Sequence, residues 1–293
     1  MIAEVFNMSR QGYYKLLSSA RGEFKYRQEV LDIIRPHRRL MDRLGSRKLY
    51  DKIKPNLQEQ GIKLGRDGFI RFLRTERMLV PKKKNHTRTT HSYHRYNCHS
   101  NLLKGISIDK PEQVWVSDIT YIKVDKEFYY LSLITDAYSK QIMGYELGDS
   151  LKTVHCENAL KKALDGRQYP DRELIHHSDR GFQYCSDGYI NRLKANNISL
   201  SMTTKYDPYE NAVAERVNGI LKDEFGIGDG YPNEFIARYE ISKSIKLYNT
   251  YRPHTSCQMM TPKEAHQKGN YKLKQWGRRM FTDTGVERHR PTE

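Results

Sequence analysis

The sequence predicts a mixed α/β sheet with helices on its faces, preceded by a small all-α unit. The chain has 293 residues, of which 37% are hydrophobic, so it can bury one sizeable core and smaller appendages. Its front segment carries apolar residues at the spacing of amphipathic helices. After Pro111, runs of β-branched and aromatic residues alternate with helical segments, which is the order of a mixed sheet.

Two helices of the front segment are predicted from apolar spacing and from the residues that flank it. The first spans about 26–35, and Pro36 should stop or kink it. The second has Ser46 as its N-cap and ends before Gly61.

A third helix is predicted at about 66–78, with Phe69, Ile70 and Leu73 facing inward and arginines facing outward. The outward arginines are Arg66, Arg71, Arg74 and Arg77. Three short helices with one basic face predict a helix-turn-helix type of DNA-binding unit at 23–80. An ordinary three-helix bundle with a solvated face is the alternative.

Positive charge is concentrated at the front of the chain. Residues 1–104 hold 24 Lys and Arg against 9 acids, residues 105–267 hold 20 against 23, and residues 268–293 hold 7 against 3. A polyanion is the natural partner of the basic parts, because each neutralised phosphate releases condensed counterions. A merely solubilising surface charge is the alternative for the front segment.

Residues 81–107 are polar and basic without a hydrophobic period, and they predict a linker that lies along nucleic acid. Its candidate DNA contacts are Lys82, Lys83 and Lys84. The alternative is a zinc site formed from His91, His94, Cys98 and His99. Closed structural zinc sites favour paired cysteines, and no CxxC is present, so the linker is the favoured interpretation.

The segment 108–267 predicts the sheet. Three strands come first, in VWVSDITYIKV, FYYLSLITDAY and QIMGYEL. A helix at 153–164, the strand LIHHS, a helix at 187–196 and the strand ISLSM follow. A polar loop, TTKYDPYEN, then leads into helices at 212–224 and 234–248. Residues 1–22 are treated as a lead segment and residues 268–293 as a basic tail.

Several classes of protein are excluded by what the sequence lacks. The longest apolar run, FYYLSLI, is too short to span a membrane, and the first residues lack the order of a secretory signal. The four cysteines are isolated, which favours reduced thiols. We therefore expect a cytoplasmic, nucleoid-associated protein without a membrane partner.

Three acids stand out by their predicted placement. Asp118 alternates with apolar neighbours inside a strand, Asp179 lies at a strand end, and Glu215 is near the start of a helix after a long loop. Carboxylates suit hard cations such as Mg²⁺. Two such ions about 3.5–4 Å apart can activate an attacking oxygen and stabilise a leaving one. Placement alone leaves many other triplets open among the 35 acids of the chain.

The residues around these acids carry a resemblance. Asp118 lies in WVSDITY, Asp179 in HHSDRGFQY and Glu215 in ENAVAERVNGILKDE, with thirty-five residues between the last two acids. Together with GSRKLY, YNTYRPH and TPKEA, these motifs resemble the catalytic OrfB protein of bacterial insertion-sequence transposases of the IS-three family, which is itself similar to retroviral integrases.

The resemblance implies a ribonuclease H-like core with a DDE active site formed by Asp118, Asp179 and Glu215. It implies two Mg²⁺ or Mn²⁺ ions held by the same three acids. The implied reaction is hydrolysis at the 3′ end of the element, followed by attack of the freed 3′-OH on another phosphodiester. No covalent protein–DNA intermediate would be needed.

Other side chains match motif positions. Lys222 lies two helical turns after Glu215, and the resemblance implies a contact to terminal DNA; a surface lysine is the alternative. His177 and Asn211 are predicted either to orient ligands or substrate or to serve as local cap or turn residues. Arg180 is predicted either to meet a phosphate or to cover the strand end. Tyr251, Arg252 and His254 lie in a segment that the resemblance marks, and closing a C-terminal turn is the alternative.

The resemblance also implies partners. These are the terminal repeats of the element, target DNA, further copies of the chain on DNA, and an upstream-frame protein with its own helix-turn-helix and leucine zipper. The sequence itself shows no zipper heptads, and Arg216 and Val217 replace the Ser-Phe pair of many relatives. Two other hypotheses are a non-enzymatic DNA-binding protein and a nuclease for RNA–DNA hybrids. Intact acids argue against the first, and a missing fourth acid motif argues against the second.

Overall fold

The computed structural model describes residues 9–81, 99–103, 105–204 and 211–273. Three helices come first and a five-stranded sheet with five further helices follows in this part of the chain. The helical unit comprises α1 (Arg10–Leu40), α2 (Ser46–Glu59) and α3 (Arg66–Thr75). The sheet unit comprises β1 (Val114–Val124), β2 (Glu127–Asp136), β3 (Ile142–Gly148), α4 (Thr153–Asp165), β4 (Leu174–Ser178), α5 (Asp187–Ala195), β5 (Ile198–Met202), α6 (Ala212–Glu224), α7 (Glu234–Thr250) and α8 (Pro262–Lys268).

The helical unit has its own core, formed by the apolar faces of its three helices. The fully buried side chains in it include Val30, Ile34, Leu44, Leu49, Ile53, Phe69 and Leu73. All four arginines predicted to face outward are exposed, although α3 ends at Thr75 and Arg77 lies in the turn that follows it. The inward and outward faces of α3 therefore separate cleanly.

Two predictions for the helical unit are wrong. Pro36 does not end its helix: α1 runs as one helix from Arg10 to Leu40, so the boundary predicted at residue 22 falls inside it. The missing amide of Pro36 costs one hydrogen bond, but the end of the helix is secured by Arg38, whose guanidinium donates to two carbonyls of the following turn at 2.6 and 2.8 Å. Ser46 is not the N-cap either, because Gly45 occupies that position.

The sheet has the strand order β3-β2-β1-β4-β5. β1 pairs antiparallel with β2 and parallel with β4, and β4 pairs parallel with β5. The predicted strands and helices of this unit are all present, which confirms the predicted mixed α/β architecture.

Helices cover both faces of the sheet. On one face α4 and α5 pack over Trp115 and Ile134 of the sheet, and Leu160 of α4 lies in the same core. On the other face α6 and α7 pack over Ile122 and Leu133. Gly144 lets α4 pack directly on β3, since a Cβ at that position would lie 2.1 Å from the carbonyl oxygen of Ala159. Such close contact explains why a strand residue without a side chain is found there.

The segment after α7 folds back onto the end of β2. α8 begins with a capping box between Thr261 and Glu264. Its His266 is fully buried, with Nε2 at 3.2 Å from a Glu112 carboxylate oxygen and Nδ1 at 3.7 Å from one of Asp136. Cys156, Cys185 and Cys257 are free and buried. None of the helices described is long and apolar enough to cross a membrane.

Candidate active site

Asp118 lies near the middle of β1, on the sheet face that α6 covers. Its neighbours on that face, Ile122 and Val124, are buried, whereas Asp118 keeps some exposure. Its Oδ1 accepts a hydrogen bond from the backbone N–H of Ile119 at 2.9 Å. Its Oδ2 accepts one from Nδ2 of Asn218 at 2.8 Å. The carboxylate is therefore held by donors on both oxygens.

Asp179 follows directly after the last residue of β4. Val116 of β1 pairs in parallel with His177 of β4, so two residues further along each strand Asp118 and Asp179 reach neighbouring positions. An oxygen of Asp179 accepts a hydrogen bond from the backbone N–H of Gly181 at 2.9 Å. The tight turn after β4 thus orients this carboxylate at the C-terminal end of β4, beside Asp118.

Glu215 lies in the first turn of α6 and is exposed. Two asparagines attach this helix to β1: Nδ2 of Asn211 donates to the carbonyl of Ser117 at 3.0 Å, and Asn218 donates to Asp118. Residues 211, 215, 218 and 222 share one face of a helix, because each lies three or four positions from the next. The helix therefore presents Glu215 and Lys222 toward the side of β1 that carries Asp118.

The electrostatics link the three acids. Burial, followed by the negative charge of Asp179, raises the pKa of Asp118 from 3.8 to about 7; Glu215 adds to the rise, and the hydrogen bonds from Asn218 and Ile119 oppose it. Burial lowers the pKa of Lys222, although the charge of Asp118 opposes that shift. Three carboxylates and one lysine therefore influence a single site.

The donor set fits a hard cation that keeps part of its hydration. Among the residues described, no three His, Cys, Asp or Glu side chains lie close enough together to hold a metal ion between them. Mg²⁺ typically uses one or two protein carboxylates and retains water or phosphate oxygens. The buried Oδ1 atoms of Asn211 and Asn218 have no hydrogen-bond partner in the described part of the chain. A cation beside these acids would offset the repulsion that raises the pKa of Asp118.

The other predicted site residues are distributed around this centre. His177 is buried and its Nδ1 lies 2.9 Å from Oγ of Ser201. The guanidinium of Arg180 donates to the carbonyls of Thr203 and Thr204 at 2.7 and 2.5 Å, so it covers the end of β5. Its contact to DNA stays a prediction.

Some of the DNA contacts predicted for the front segment lie among the described residues and others do not. Arg66, Arg71 and Arg74 are exposed on α3, as a DNA-contacting face requires. Lys82, Lys83 and Lys84 lie outside the described residues, as do three of the four residues of the zinc alternative.

Sequence reasoning missed Asn218 and made no prediction for the ion pair of Arg252. Asn218 is three positions after Glu215, and an asparagine inside a helix without a local backbone partner is a signal that it bonds elsewhere. Arg252 is 1% exposed and donates two hydrogen bonds to the carboxylate of Glu224. An arginine directly before a proline gives no comparable signal.

A second polar group resembles a nucleophile and base but is closed to substrate. Oγ of Ser117 lies 2.6 Å from Nε2 of His176, which also contacts the hydroxyl of Tyr189 at 2.9 Å. All three residues are fully buried on the opposite face of the sheet from Asp118. Burial lowers the pKa of His176 to about 3, so the ring is neutral. This group stabilises the packing of α5 on the sheet.

Comparison with known proteins identifies the family. Two models described as integrase core domain match residues 108–208 and 196–262. An uncharacterized 31 kDa protein of insertion element IS600 from Shigella sonnei is 32% identical over 91% of this chain and 98% of its own length. The chain belongs to the IS-three family of insertion-sequence transposases.

Further relatives also match over most of this chain and most of their own length. The transposase InsF of insertion sequence IS3A from Escherichia coli K12 is 27% identical over 91% of this chain and 93% of its own length. The IS-three transposase described here is accordingly an enzyme that acts on DNA, a DDE-type polynucleotidyl transferase with a ribonuclease H-like core.

Solved structures are also similar to this transposase. The catalytic core of HTLV-2 integrase, determined in complex with magnesium, has a TM-score of 0.44 and 19% identity, and the match covers 54% of this chain and 97% of that one. A simian T-cell lymphotropic virus intasome in complex with a PP2A regulatory subunit has a TM-score of 0.46 and 17% identity, over 85% and 79% of the two chains.

Proposed function

We propose that this transposase cleaves DNA at the 3′ ends of its insertion sequence and joins them to target DNA, with Asp118, Asp179 and Glu215 as the metal-binding catalytic acids. The observation that supports this most is the pKa of Asp118, which burial, and after it the negative charges of Asp179 and Glu215, raises to about 7. A buried carboxylate whose pKa is raised further by neighbouring acids is typical of functional sites.

The metal would be Mg²⁺ or Mn²⁺, and these acids would hold two ions. Bound there, the ions would supply an activated attacking oxygen and stabilise the leaving one. In the first step a water oxygen forms a bond to phosphorus, the bond to the 3′ oxygen breaks, and the freed 3′ oxygen takes up a proton. In the second step that 3′-OH attacks a target phosphodiester and displaces another 3′ oxygen.

The chain's own side chains would position these groups. Asn218 donates to Oδ2 of Asp118 and the backbone of Ile119 donates to Oδ1, so the two bonds fix the orientation of the carboxylate and leave one further lone pair on each oxygen for a cation. Asn211 ties the start of α6 to β1, which keeps Glu215 beside the sheet. Lys222, on the same helix face, is suited to a phosphate of terminal DNA.

The proposal includes partners. We expect two element ends to be held by more than one copy of the chain, together with an upstream-frame protein that carries a helix-turn-helix and a leucine zipper. The exposed arginines of α3 are suited to the DNA backbone or to base edges.

The test is a cleavage and joining assay on duplexes copied from the DNA that flanks the gene, in Mg²⁺ and in Mn²⁺, with and without the upstream partner. Asp118→Asn, Asp179→Asn and Glu215→Gln should each abolish nicking and joining while DNA binding persists. Full activity in all three variants would refute the assignment. An RNA–DNA hybrid in parallel detects the nuclease alternative.

A further inference from the structure

Glu224 binds two cations that come from distant parts of the chain. It is the last residue of α6, nine positions after Glu215. Nε and Nη2 of Arg252 donate to its two carboxylate oxygens at 2.7 and 2.6 Å. Nζ of Lys48 donates to the same carboxylate at 2.9 Å. Lys48 belongs to α2, in the helical unit, so this carboxylate joins the two units.

Other contacts confirm that the end of α6 is where the helical unit attaches. Phe225 and Tyr251 pack against the core of the helical unit. Nζ of Lys52 lies 4.7 Å from the centre of the Tyr251 ring, and His37 forms a hydrogen bond with the hydroxyl of that residue. The helix with Glu215 at one end therefore contacts the helical unit at its other end.

The Lys48 contact is mostly shielded from water. The exposed fractions of the Lys48 and Glu224 side chains are 16% and 17%. A second ion pair across the same junction, Arg43 with Asp229 at 2.6 Å, has exposed fractions of 38% and 63%. Exposed pairs have little effect on orientation because water and salt screen them, whereas shielded pairs demand a defined geometry.

Lys48 is not needed to neutralise Glu224, because Arg252 already pairs with both oxygens. Burial lowers the pKa of Lys48 to about 8, and the positive charge of Arg252 lowers it further while Glu224 opposes the shift. Keeping this lysine charged therefore costs folding free energy. The bond from Lys48 to Glu224 thus costs free energy and requires a defined geometry. Its effect is to fix the angle between the two units.

We propose that Lys48 is a positioning residue, which fixes the helical unit on the C-terminal end of α6 so that DNA held by α3 reaches the acids at a defined angle. Glu215 and Glu224 are separated by about 14 Å along the helix axis, so a tilt at one end is transmitted to the other. The delivery of DNA to the acids rests on the proposed function. The fixed angle between the two units does not.

The structural test uses two spin labels and needs no activity. Glu59→Cys on α2 and Lys246→Cys on α7 introduce exposed labelling positions into the full chain with Cys98→Ser; the remaining cysteines are buried. The distance distribution between the labels should be narrow with Lys48 present. It should broaden in Lys48→Met, and stay narrow in Lys48→Arg and in the matched control Arg43→Met. An unchanged distribution in Lys48→Met would overturn the proposal.

The catalytic test compares the same variants without labels. Lys48→Met should cleave end DNA about tenfold more slowly or worse in single turnover, because small misplacements of substrate have large effects on rate. Its affinity for that DNA and its melting temperature should equal or exceed those of the parent. A proportional loss of melting temperature and DNA binding would identify a merely structural role. A parent that stays inactive even with the upstream partner supplied would refute the proposed function, and the label distances would still decide the role of Lys48.

Discussion

Asp118→Asn should stabilise the metal-free protein at the same time as it abolishes activity. The folded protein raises the pKa of this carboxyl from 3.8 to about 7, so the ionised form is disfavoured by the fold at neutral pH. At about 1.4 kcal/mol for each pH unit between those two values, the unfavourable contribution has an upper limit of about 4 kcal/mol. Removing the charge removes that contribution.

The substituted amide also finds partners. Its oxygen can keep the hydrogen bond from the backbone of Ile119, and its NH₂ group then faces Asn218. Asn218 can turn its amide over, because its Oδ1 has no partner among the described residues and can accept the new donor. The two side chains therefore keep one hydrogen bond between them, now accepted by Oδ1 of Asn218 instead of donated by its Nδ2.

The assay is urea unfolding of the parent and the variant in EDTA, from pH 4 to pH 7.5. In the folded state this acid binds its proton up to about pH 7, and in the unfolded state only up to about 3.8, so the parent loses stability as pH rises between these values. The variant should be more stable at pH 7.5, and the gap should close toward pH 4. Mg²⁺ should stabilise the parent and leave the stability of the variant unchanged. A variant equal to or less stable than the parent at pH 7.5 would refute the reasoning.

Three further outcomes are expected. Asn218→Ala removes a hydrogen bond to the charged carboxylate of Asp118, worth about 1.5–3 kcal/mol, so the pKa of Asp118 should rise. Mn²⁺ should then bind about tenfold more weakly at pH 7 and regain its affinity near pH 9, where the carboxyl is ionised again. Free Mn²⁺ measured by electron paramagnetic resonance reports this, and Gly219→Ala on the same helix should bind as the parent does. Lys222→Met should weaken binding to end DNA and lower the salt slope of that binding by about one, in fluorescence anisotropy; an unchanged slope would exclude a phosphate contact. Burial disfavours the charged ring of His266, but the carboxylates of Asp136 and Glu112 outweigh it and raise the pKa of His266 to about 9. Its stabilisation is therefore complete below pH 6.5 and is lost as pH rises through 9. Urea unfolding from pH 6.5 to 9.5 should show this decline in the parent and not in His266→Gln.

The strands and helices of the sheet unit could be predicted from the sequence because their signals are local. Runs of β-branched, aromatic and other apolar residues define β1 and β2, and a polar loop followed by a helical period defines α6. Pro36 misled the same reasoning, because the cost of one missing hydrogen bond is small beside the packing of a long helix on its neighbours.

The acids Asp118, Asp179 and Glu215 could be chosen from the sequence because each lies in a recognisable run of neighbours. Their relation in space could not be derived in this way. The pairing of Val116 with His177 brings two of them together, and it joins strands that are far apart in the chain.

Local pattern was therefore sufficient for most of the secondary structure, for the basic front segment and for choosing the three acids that we propose as catalytic. Long-range packing was required for everything that sets their properties. The bond from Asn218 to Asp118 spans 100 residues, and the bond from Lys48 to Glu224 spans 176. A pKa depends on burial and on charges within a few ångströms, and residues that distant in sequence become neighbours only when the chain is folded.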